Sequence, residues 1–576
     1  MSGVSFDAKR SEQIGARPRR PSRRPSVRPL PGLVAVLLLA VLAAVACAVN
    51  DRLDGVPTAA TDDGGRATPS RPHPPHLNAN KGVGGTYEGP THVGYSPRGD
   101  DDPRPNVLLI TTDDQALTDL RWMPKTRHWL AEQGITFTHM LSPHPLCCPA
   151  RAEIVTGQFA QNSGVHTNAG PYGGLGALED PDNTLAWWLQ KDHYQTAMVG
   201  KYLNGYRVAT GVPRGWDHWN AATHNGFGYY DYVLYNDGRP RFYGHGKDSN
   251  NSSTVIAADT TRLIHDYAED ERPFFIWSSY FAPHGLCGDT GGCANPPEAS
   301  AQYANSYPDA VPPSTAGPGY NEADVSDKPH VIRHQQLMDD GAVRYLFLQR
   351  IRALASVDDG IDQTMRALEE TGELDNTLIL FTSDNGYLLG EHRYLGKVLP
   401  YEEALEVPLL LRGPGLPQGV SRDQTATTVD LAPTILDAAG ARAGRVEDGR
   451  SLLPFAADPT RQRLDDTILI QAGGSPDAQV PQPWMYRGVR TARYTYVEWA
   501  GGFTELYDRD ADPFQLDNIA GASAYARVQD ELSARVAALK GCAGDTCRQV
   551  FGPLPQADVA QAAANSRRTR SSASAR

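Results

Sequence analysis

Five short apolar runs constrain this chain most, because four of them lead straight into charged or amide side chains. The runs are Val107–Thr112 (V-L-L-I-T-T), Thr196–Val199, Phe274–Tyr280, Leu378–Thr382 and Pro408–Leu411. Apolar stretches this short, without alternation, suit strands covered on both faces. Helical patterns lie between them. The longest runs from about Ala342 to Glu370, where Leu346, Ile351, Leu354, Ile361 and Leu368 keep a helix-like spacing. Strand–helix alternation predicts an α/β fold, a large domain with a mostly parallel central sheet flanked by helices. Nearer the C-terminus the pattern changes. Met485–Thr491, Tyr494–Trp499 and Thr504–Tyr507 are short, aromatic-rich and closely spaced. They predict a smaller C-terminal domain with an antiparallel sheet, followed by a helix around Ala524–Leu539. At 576 residues the chain exceeds what one compact core usually covers, which agrees with two domains.

The ends read differently. An Arg-rich segment (Arg19 to Arg24) precedes an uncharged apolar run, Leu33–Val49, that closes on Ala44-Val45-Ala46. That is the pattern of a signal peptide, and its length also meets the lower limit of a membrane anchor. Cys47, next in line, raises lipoprotein attachment, although Ala44 stands where a Leu-type residue is expected. Residues 50–103 lack an apolar period and read as a disordered linker. The expected division is therefore 1–49 for targeting, 50–103 for the linker, 104–470 for the catalytic α/β domain, 471–555 for the smaller domain and 556–576 for a disordered tail. Cys287 with Cys293, and Cys542 with Cys547, lie in short loops able to close as local disulfides, in keeping with an exported protein, secreted or held at the cell surface. The net charge is −13, and residues 1–30 contribute +6 to it, so the rest is more acidic still. A surface of that sign excludes nucleic acid as a partner.

The polar residues at the strand ends carry the chemistry. The first run ends in Asp113-Asp114, the second leads to Lys201, the third to His284 through F-A-P-H, and the fourth to Asp384-Asn385. In open α/β sheets the crevice beyond the carboxyl ends of the strands is where ligands bind. Asp113, Asp114, Asp384 and Asn385 offer oxygen ligands only, which suit a hard cation, Ca²⁺ or Mg²⁺. A single Asp after a strand more often caps the next helix. Two such pairs, 271 residues apart, favour a shared ion. Cys147-Cys148-Pro149 fits a helix start, with Pro in the first turn and the dipole favouring an anion beside Cys147. Residue types alone leave Cys147 open as half of a buried pair, as a thiolate nucleophile or as a modified residue.

Cys147-Cys148-Pro149-Ala150-Arg151 resembles the C-x-P-x-R signature of the sulfatase family. The resemblance covers most of the chain from Arg104 to about Asn518. It includes R-P-N-V-L-L-I-T-T-D-D-Q, G-K-Y-L-N-G-Y from Gly200, T-S-D-N-G-Y from Thr382, G-K-V-L-P-Y-E-E from Gly396 and E-L-Y-D-R-D-A-D-P-F from Glu505. Within the family the chain looks most like N-acetylglucosamine-6-sulfatases and extracellular heparan-sulfatase relatives. The resemblance implies an alkaline-phosphatase-like fold and a sulfated carbohydrate substrate. It also implies that a formylglycine-generating enzyme oxidises Cys147 in the unfolded chain. One hydroxyl of the hydrated aldehyde, beside the cation and Arg151, then attacks sulfur, and loss of the second proton lets the diol collapse and free sulfate. Lys201 and Lys397 would bind sulfate oxygens, and His284, with an ordinary pKa near 6.5, would protonate the leaving oxygen. The metal ligands implied are Asp113, Asp114, residue 147, Asp384 and Asn385. One departure stands out. Many sulfatases read G-K-W-H-L where this chain has Leu203, and Asn204 is the stand-in considered. His392 either lines the cleft or faces solvent. A phosphate or phosphonate ester hydrolase of the same superfamily, a non-catalytic binding protein of the cell envelope and a thiol enzyme are the competing readings.

Overall fold

The computed structural model describes residues 104–223, 228–286, 295–474 and 483–558. The targeting and linker expectations, the Cys287–Cys293 pairing and most of the tail lie outside these residues. No described helix is long and apolar enough to cross a membrane.

In chain order the strands of the main sheet are β1 (Asn106–Thr112), β2 (Ile135–Leu141), β3 (Gln195–Gly200), β4 (His218–Ala222), β5 (Tyr232–Asn236), β6 (Arg239–Tyr243), β7 (Phe274–Ser279) and β8 (Thr377–Ser383). A two-stranded hairpin follows, β9 (Leu388–Leu389) with β10 (Leu395–Gly396). The main sheet resumes with β11 (Glu406–Arg412), β12 (Val420–Arg422) and β13 (Ala426–Thr427), and has eleven strands in all. β8, β1, β7, β3 and β4 lie side by side and parallel. β11 runs antiparallel to both β8 and β2, so the sheet is mostly rather than wholly parallel.

β1 sits between β7 and β8, and its alternate side chains feed two cores. Val107 and Leu109 pack with Ile154, Leu431 and Ile435, whereas Leu108 and Ile110 pack with Ile256, Leu354 and Ile361. The helices supplying these partners are α1 (Cys147–Thr156), α2 (Ser252–Ala268), α3 (Asp340–Glu370) and α4 (Leu431–Ala439). α1 and α4 thus cover one face and α2 and α3 the other. Burial on both faces is why β1 and β8 are apolar throughout. β2 (I-T-F-T-H-M-L) instead alternates, with its threonines and histidine less buried than its neighbours. It has no continuous run, so the reasoning that finds β1 misses it.

A second, antiparallel sheet orders β14 (Ile468–Ala472), β15 (Tyr486–Arg490), β16 (Tyr494–Trp499) and β17 (Thr504–Asp508), with helix α5 (Ala526–Leu539) against it. Three of these strands and the helix are those expected. β14 is additional. The sheet packs against Leu141, Leu146, Val398 and Leu405, residues flanking Cys147 and Lys397 in sequence. Cys542 and Cys547 are disulfide-bonded.

Candidate active site

Cys147 opens α1, after an extended Leu146. No side chain caps this helix start, and the Cys148 N–H goes to Asn168 Oδ1 at 2.9 Å. The helix dipole makes such a position receptive to an anion. Cys147 is fully buried.

Adjacent strand residues point to opposite faces, so Asp113 and Asp114 in ordinary strand geometry would diverge. Asp114 adopts φ 64°, which turns its carboxylate back toward that of Asp113. Asp and Asn are among the few non-glycine residues that tolerate this region. Asp113 accepts from Lys201 Nζ, from Arg151 NH2 at 3.2 Å and from Cys147 Sγ at 3.4 Å. Asp114 Oδ1 accepts from Lys397 Nζ and from Asn385 Nδ2 at 2.8 Å. Lys397 Nζ also lies 2.7 Å from Cys147 Sγ. Asp384 accepts from Arg151 Nε at 2.8 Å and from the backbone N–H groups of Asp114 and Asn385. Arg151 gives NH1 to the Lys201 carbonyl and to Ser279 Oγ, tying α1 to β3 and β7. His284 donates Nδ1–H to the Gly285 carbonyl, 2.7 Å away, and turns Nε2 to Asp114 at 3.7 Å.

Two glycines allow the close approach. A side chain at Gly200, before Lys201, would meet the Ser279 carbonyl at 2.0 Å, and one at Gly386, after Asn385, the Glu403 carbonyl at 2.2 Å. Asp113, Asp114, Cys147, Arg151, Lys201, His284, Asp384, Asn385 and Lys397 therefore converge in one buried cluster at the carboxyl edge of the sheet.

Charge balance sets the protonation states. Burial alone would raise the Asp113 carboxyl, but Lys201, His284, Arg151 and Lys397 hold it far below the usual range. Burial likewise opposes, and Lys397 then outweighs it at, Asp114. Asp384 is pushed up to about 6, by burial first and by the Asp113 charge second. Burial also raises the Cys147 thiol well above its ordinary value, with Asp113 adding to the effect. His284 drops to about 4 because burial outweighs its two acidic neighbours. The ordinary value that suited a proton donor does not survive burial. An anionic ester bound beside the ring would raise it again.

The donors suit a hard cation. Asp113, Asp114, Cys147 and His284 each bring a ligand atom within 4.8 Å of the others. Asn385 Oδ1 is buried with no hydrogen-bond partner among the described residues. Asp384 is not in that tight group. Its Oδ2 is turned to Arg151.

Several contributors were not visible in sequence. Arg350, on α3, donates to the Asp114 carbonyl at 2.5 Å and to Asp119 at 3.0 Å, fixing the turned residue from behind. Val398 has φ 79°, costly for a β-branched residue. Its N–H donates to the Pro145 carbonyl at 2.9 Å and its carbonyl accepts from Tyr486 Oη at 2.6 Å. The small sheet thereby holds the strained residue next to Lys397. Leu203 is buried in the main core. The Asn204 carbonyl lies 3.9 Å from Cys148 Sγ, and its side-chain Oδ1 is buried without a hydrogen-bond partner among the described residues. His392 is wholly buried rather than solvent-facing, bonded to Glu322 at 2.6 Å and stacked on Tyr401.

Fold and cluster together gather buried carboxylates and cations at the strand-end crevice of a mostly parallel sheet, the equipment of a hydrolase for anionic esters. The family model Sulfatase matches residues 105–441, and N-sulphoglucosamine sulphohydrolase, C-terminal, matches 390–541. The N-acetylglucosamine-6-sulfatases of Homo sapiens and Capra hircus are 31% identical over 498 residues, covering 78% of this chain and 87% and 86% of theirs. The putative extracellular sulfatase Sulf-1 homolog of Caenorhabditis elegans is 33% identical over 392 residues, 65% of this chain but only 53% of that protein. The solved structure of BT4656 in complex with D-Glucosamine-2-N, 6-O-disulfate superposes with a TM-score of 0.63 at 22% identity, over 75% of this chain and 97% of that one. The chain belongs to the sulfatase family and is a sulfuric ester hydrolase.

Proposed function

We propose that this sulfatase removes sulfate from a sulfated carbohydrate, with a 6-sulfated N-acetylglucosamine unit as the favoured target. The observation that carries the reading is Cys147 at the head of α1, buried and in direct contact with Asp113 and Lys397, with Arg151 bound to the same Asp113. A thiol whose pKa is raised by burial is a poor nucleophile at neutral pH, which favours conversion of Cys147 to formylglycine over direct thiolate attack. The N-acetylglucosamine-6-sulfatase relatives support the sugar assignment.

Asp113, Asp114, Asp384 and Asn385, with residue 147, would hold a Ca²⁺ or Mg²⁺, which supplies positive charge against the sulfate and the nucleophile. Lys201 and Lys397 are positioned to take sulfate oxygens as charge builds on them. Arg151 keeps Asp113 and Asp384 aligned with the head of the helix. His284 presents Nε2 as the group to protonate the leaving alcohol. Export is part of the same reading: the Cys542–Cys547 disulfide fits an oxidising compartment, and residues 33–49 would direct the chain there or tether it. The domain limits proposed are those read from the sequence, 104–470 and 471–555, with the join shifted ahead of β14, whose residues from Ile468 pair in the small sheet.

The direct test is mass spectrometry of the tryptic peptide containing residue 147, with hydrazide labelling of the intact protein and a Cys147→Ala control. Formylglycine in active preparations is expected. An unmodified thiol in fully active enzyme would sink the proposal. Parallel kinetics on aryl sulfate and phosphonate monoesters separates the sulfatase from the phosphonate monoester hydrolases, one of which, from Agrobacterium radiobacter, shares the fold at a TM-score of 0.60 and 20% identity.

A further inference from the structure

The small sheet carries a cavity of about 300 Å³ between β15, β16 and the end of α5. That is the lower end of the range for small-molecule sites, roughly 300–1,000 Å³. Trp484, Tyr486, Arg487, Glu498, Trp499 and Lys540 line it. Arg487 and Glu498 are direct cross-strand partners on β15 and β16, where opposite charges normally pair. Here they do not. Glu498 Oε1 accepts from Ser533 Oγ at 2.7 Å and from Tyr496 Oη at 3.3 Å. Arg487 instead lies over the Trp484 ring, 5.0 Å from its centroid, and gives NH1 to the Lys540 carbonyl at 3.0 Å. The cavity thus keeps two cations, one of them half-buried, while its one carboxylate is engaged elsewhere.

The aromatic walls are fixed. Trp484 stacks on His166 with 4.0 Å between centroids, and Trp499 donates Nε1 to Glu505 at 2.6 Å. The same walls reach the candidate nucleophile. His166 is two residues from Asn168, which holds the Cys148 N–H, and Tyr486 holds the carbonyl next to Lys397. Rigid aromatic faces, beside cations with no ion-pair partner among the described residues, suit a sugar ring that bears an acidic group.

We propose that this cavity is a second subsite, which seats a carboxylate- or sulfate-bearing sugar unit flanking the one that is desulfated. The inference rests on the reading of the substrate as a sulfated carbohydrate. It makes the enzyme a reader of anionic oligosaccharides rather than of isolated monosaccharides.

The test compares kcat/KM for N-acetylglucosamine 6-sulfate with that for a 6-sulfated hexasaccharide whose other units carry carboxylates. In Arg487→Ala/Lys540→Ala the hexasaccharide-to-monosaccharide ratio is expected to fall at least tenfold, mainly through KM. Lys540→Ala alone, at an exposed position, should fall in the same direction, and Lys540→Arg should restore it. An unchanged ratio overturns the subsite. A binding arm uses the Cys147→Ala chain titrated with the same hexasaccharide and with its neutral, desulfated and carboxyl-reduced form. Adding the two alanines should weaken binding of the anionic form at least tenfold and leave the neutral form unaffected, and equal effects on both overturn the subsite. Failure of the unsubstituted chain to cleave either sugar defeats the substrate reading instead, and the binding arm still decides the subsite.

Discussion

α1 has buried acids at both ends, and the two ends treat them oppositely. At its start, Asp113 and Asp114 meet Lys201, Arg151 and Lys397, and both carboxyls stay ionised although burial works against them. At its end, Glu153 bonds Thr428 Oγ1, while Asp448 accepts from the Phe159 and Gly544 N–H groups and from Asn162. Arg548 is the cation acting on Glu447 and Asp448 there, and its NH1 is given to the Glu447 and Gly449 carbonyls. Burial therefore lifts all three acids: Glu153 well above its ordinary value, Asp448 above its own, and Glu447 to about 8. The side chains are of one kind and the helix is the same. Cations decide which acids carry charge. The charged end has the composition for holding a divalent ion and a sulfate, and the neutral end only needs hydrogen bonds.

The largest expected contrast comes from removing the head of the helix. Cys147→Ala should lower kcat on a sulfate ester on the order of 10⁴-fold, because it removes the group proposed to be attacked through. Glu153→Gln, at the other end, should leave kcat within about twofold, since a protonated acid and an amide are close isosteres. Comparable losses in both variants would break the distinction between the ends. Next, Lys397→Ala should reduce kcat by about 10²–10³-fold, the scale of one lost donor to a developing anion. Steady-state kinetics with saturating aryl sulfate checks it, and a pure KM effect would count against the role.

A smaller effect probes how the charged end is held. Tyr486→Phe deletes the bond to the Val398 carbonyl, about 1 kcal/mol for a neutral hydrogen bond. If that energy holds the strained turn that aims Lys397, kcat falls about fivefold with KM little changed. Val398→Gly removes the strain, so the tyrosine should matter less in that background. An equal penalty in both backgrounds would show that Tyr486 acts only on stability.

The last expected effect, at the other end of the helix, is on stability and not on kcat. Folded Glu447 keeps its proton to about pH 8, whereas the unfolded chain loses it near 4.5. Unfolding therefore releases a proton between those values, so this group's contribution is fully present below about 4.5 and is lost as pH rises toward 8. Glu447→Gln should abolish that slope, gaining roughly 3 kcal/mol over the parent at pH 8 compared with pH 5. Chemical denaturation at the two pH values measures it. A gain that is equal at both would remove the raised acid from the account.

Legibility in the sequence follows the same division. β1, β3, β7, β8 and β11 were visible because strands buried on both faces must be apolar throughout, and their polar exits marked the crevice. β2 and β14 were not, one because it alternates, the other because I-L-I-Q-A is too short to stand out beside its polar neighbours. Arg350 and Tyr486 carry no local signal either. Each acts across a long separation, 236 residues to Asp114 and 88 to Val398, and only the folded chain brings the partners together. His284 was located by F-A-P-H, but its protonation was misjudged because burial is a property of the fold.

The backward turn at Asp114 also narrows what mutation can try. Residue 113 directly follows an ordinary strand and has no positive φ, so many side chains would fit its backbone and fail only for want of a carboxylate. Residue 114 screens every candidate twice, once for a conformation with φ 64° and once for negative charge. Asparagine and glycine pass the first screen alone, and glutamate the second alone. A saturation library should therefore find a single viable allele at 114, and revertants of any lesion there should restore aspartate itself rather than compensate from elsewhere.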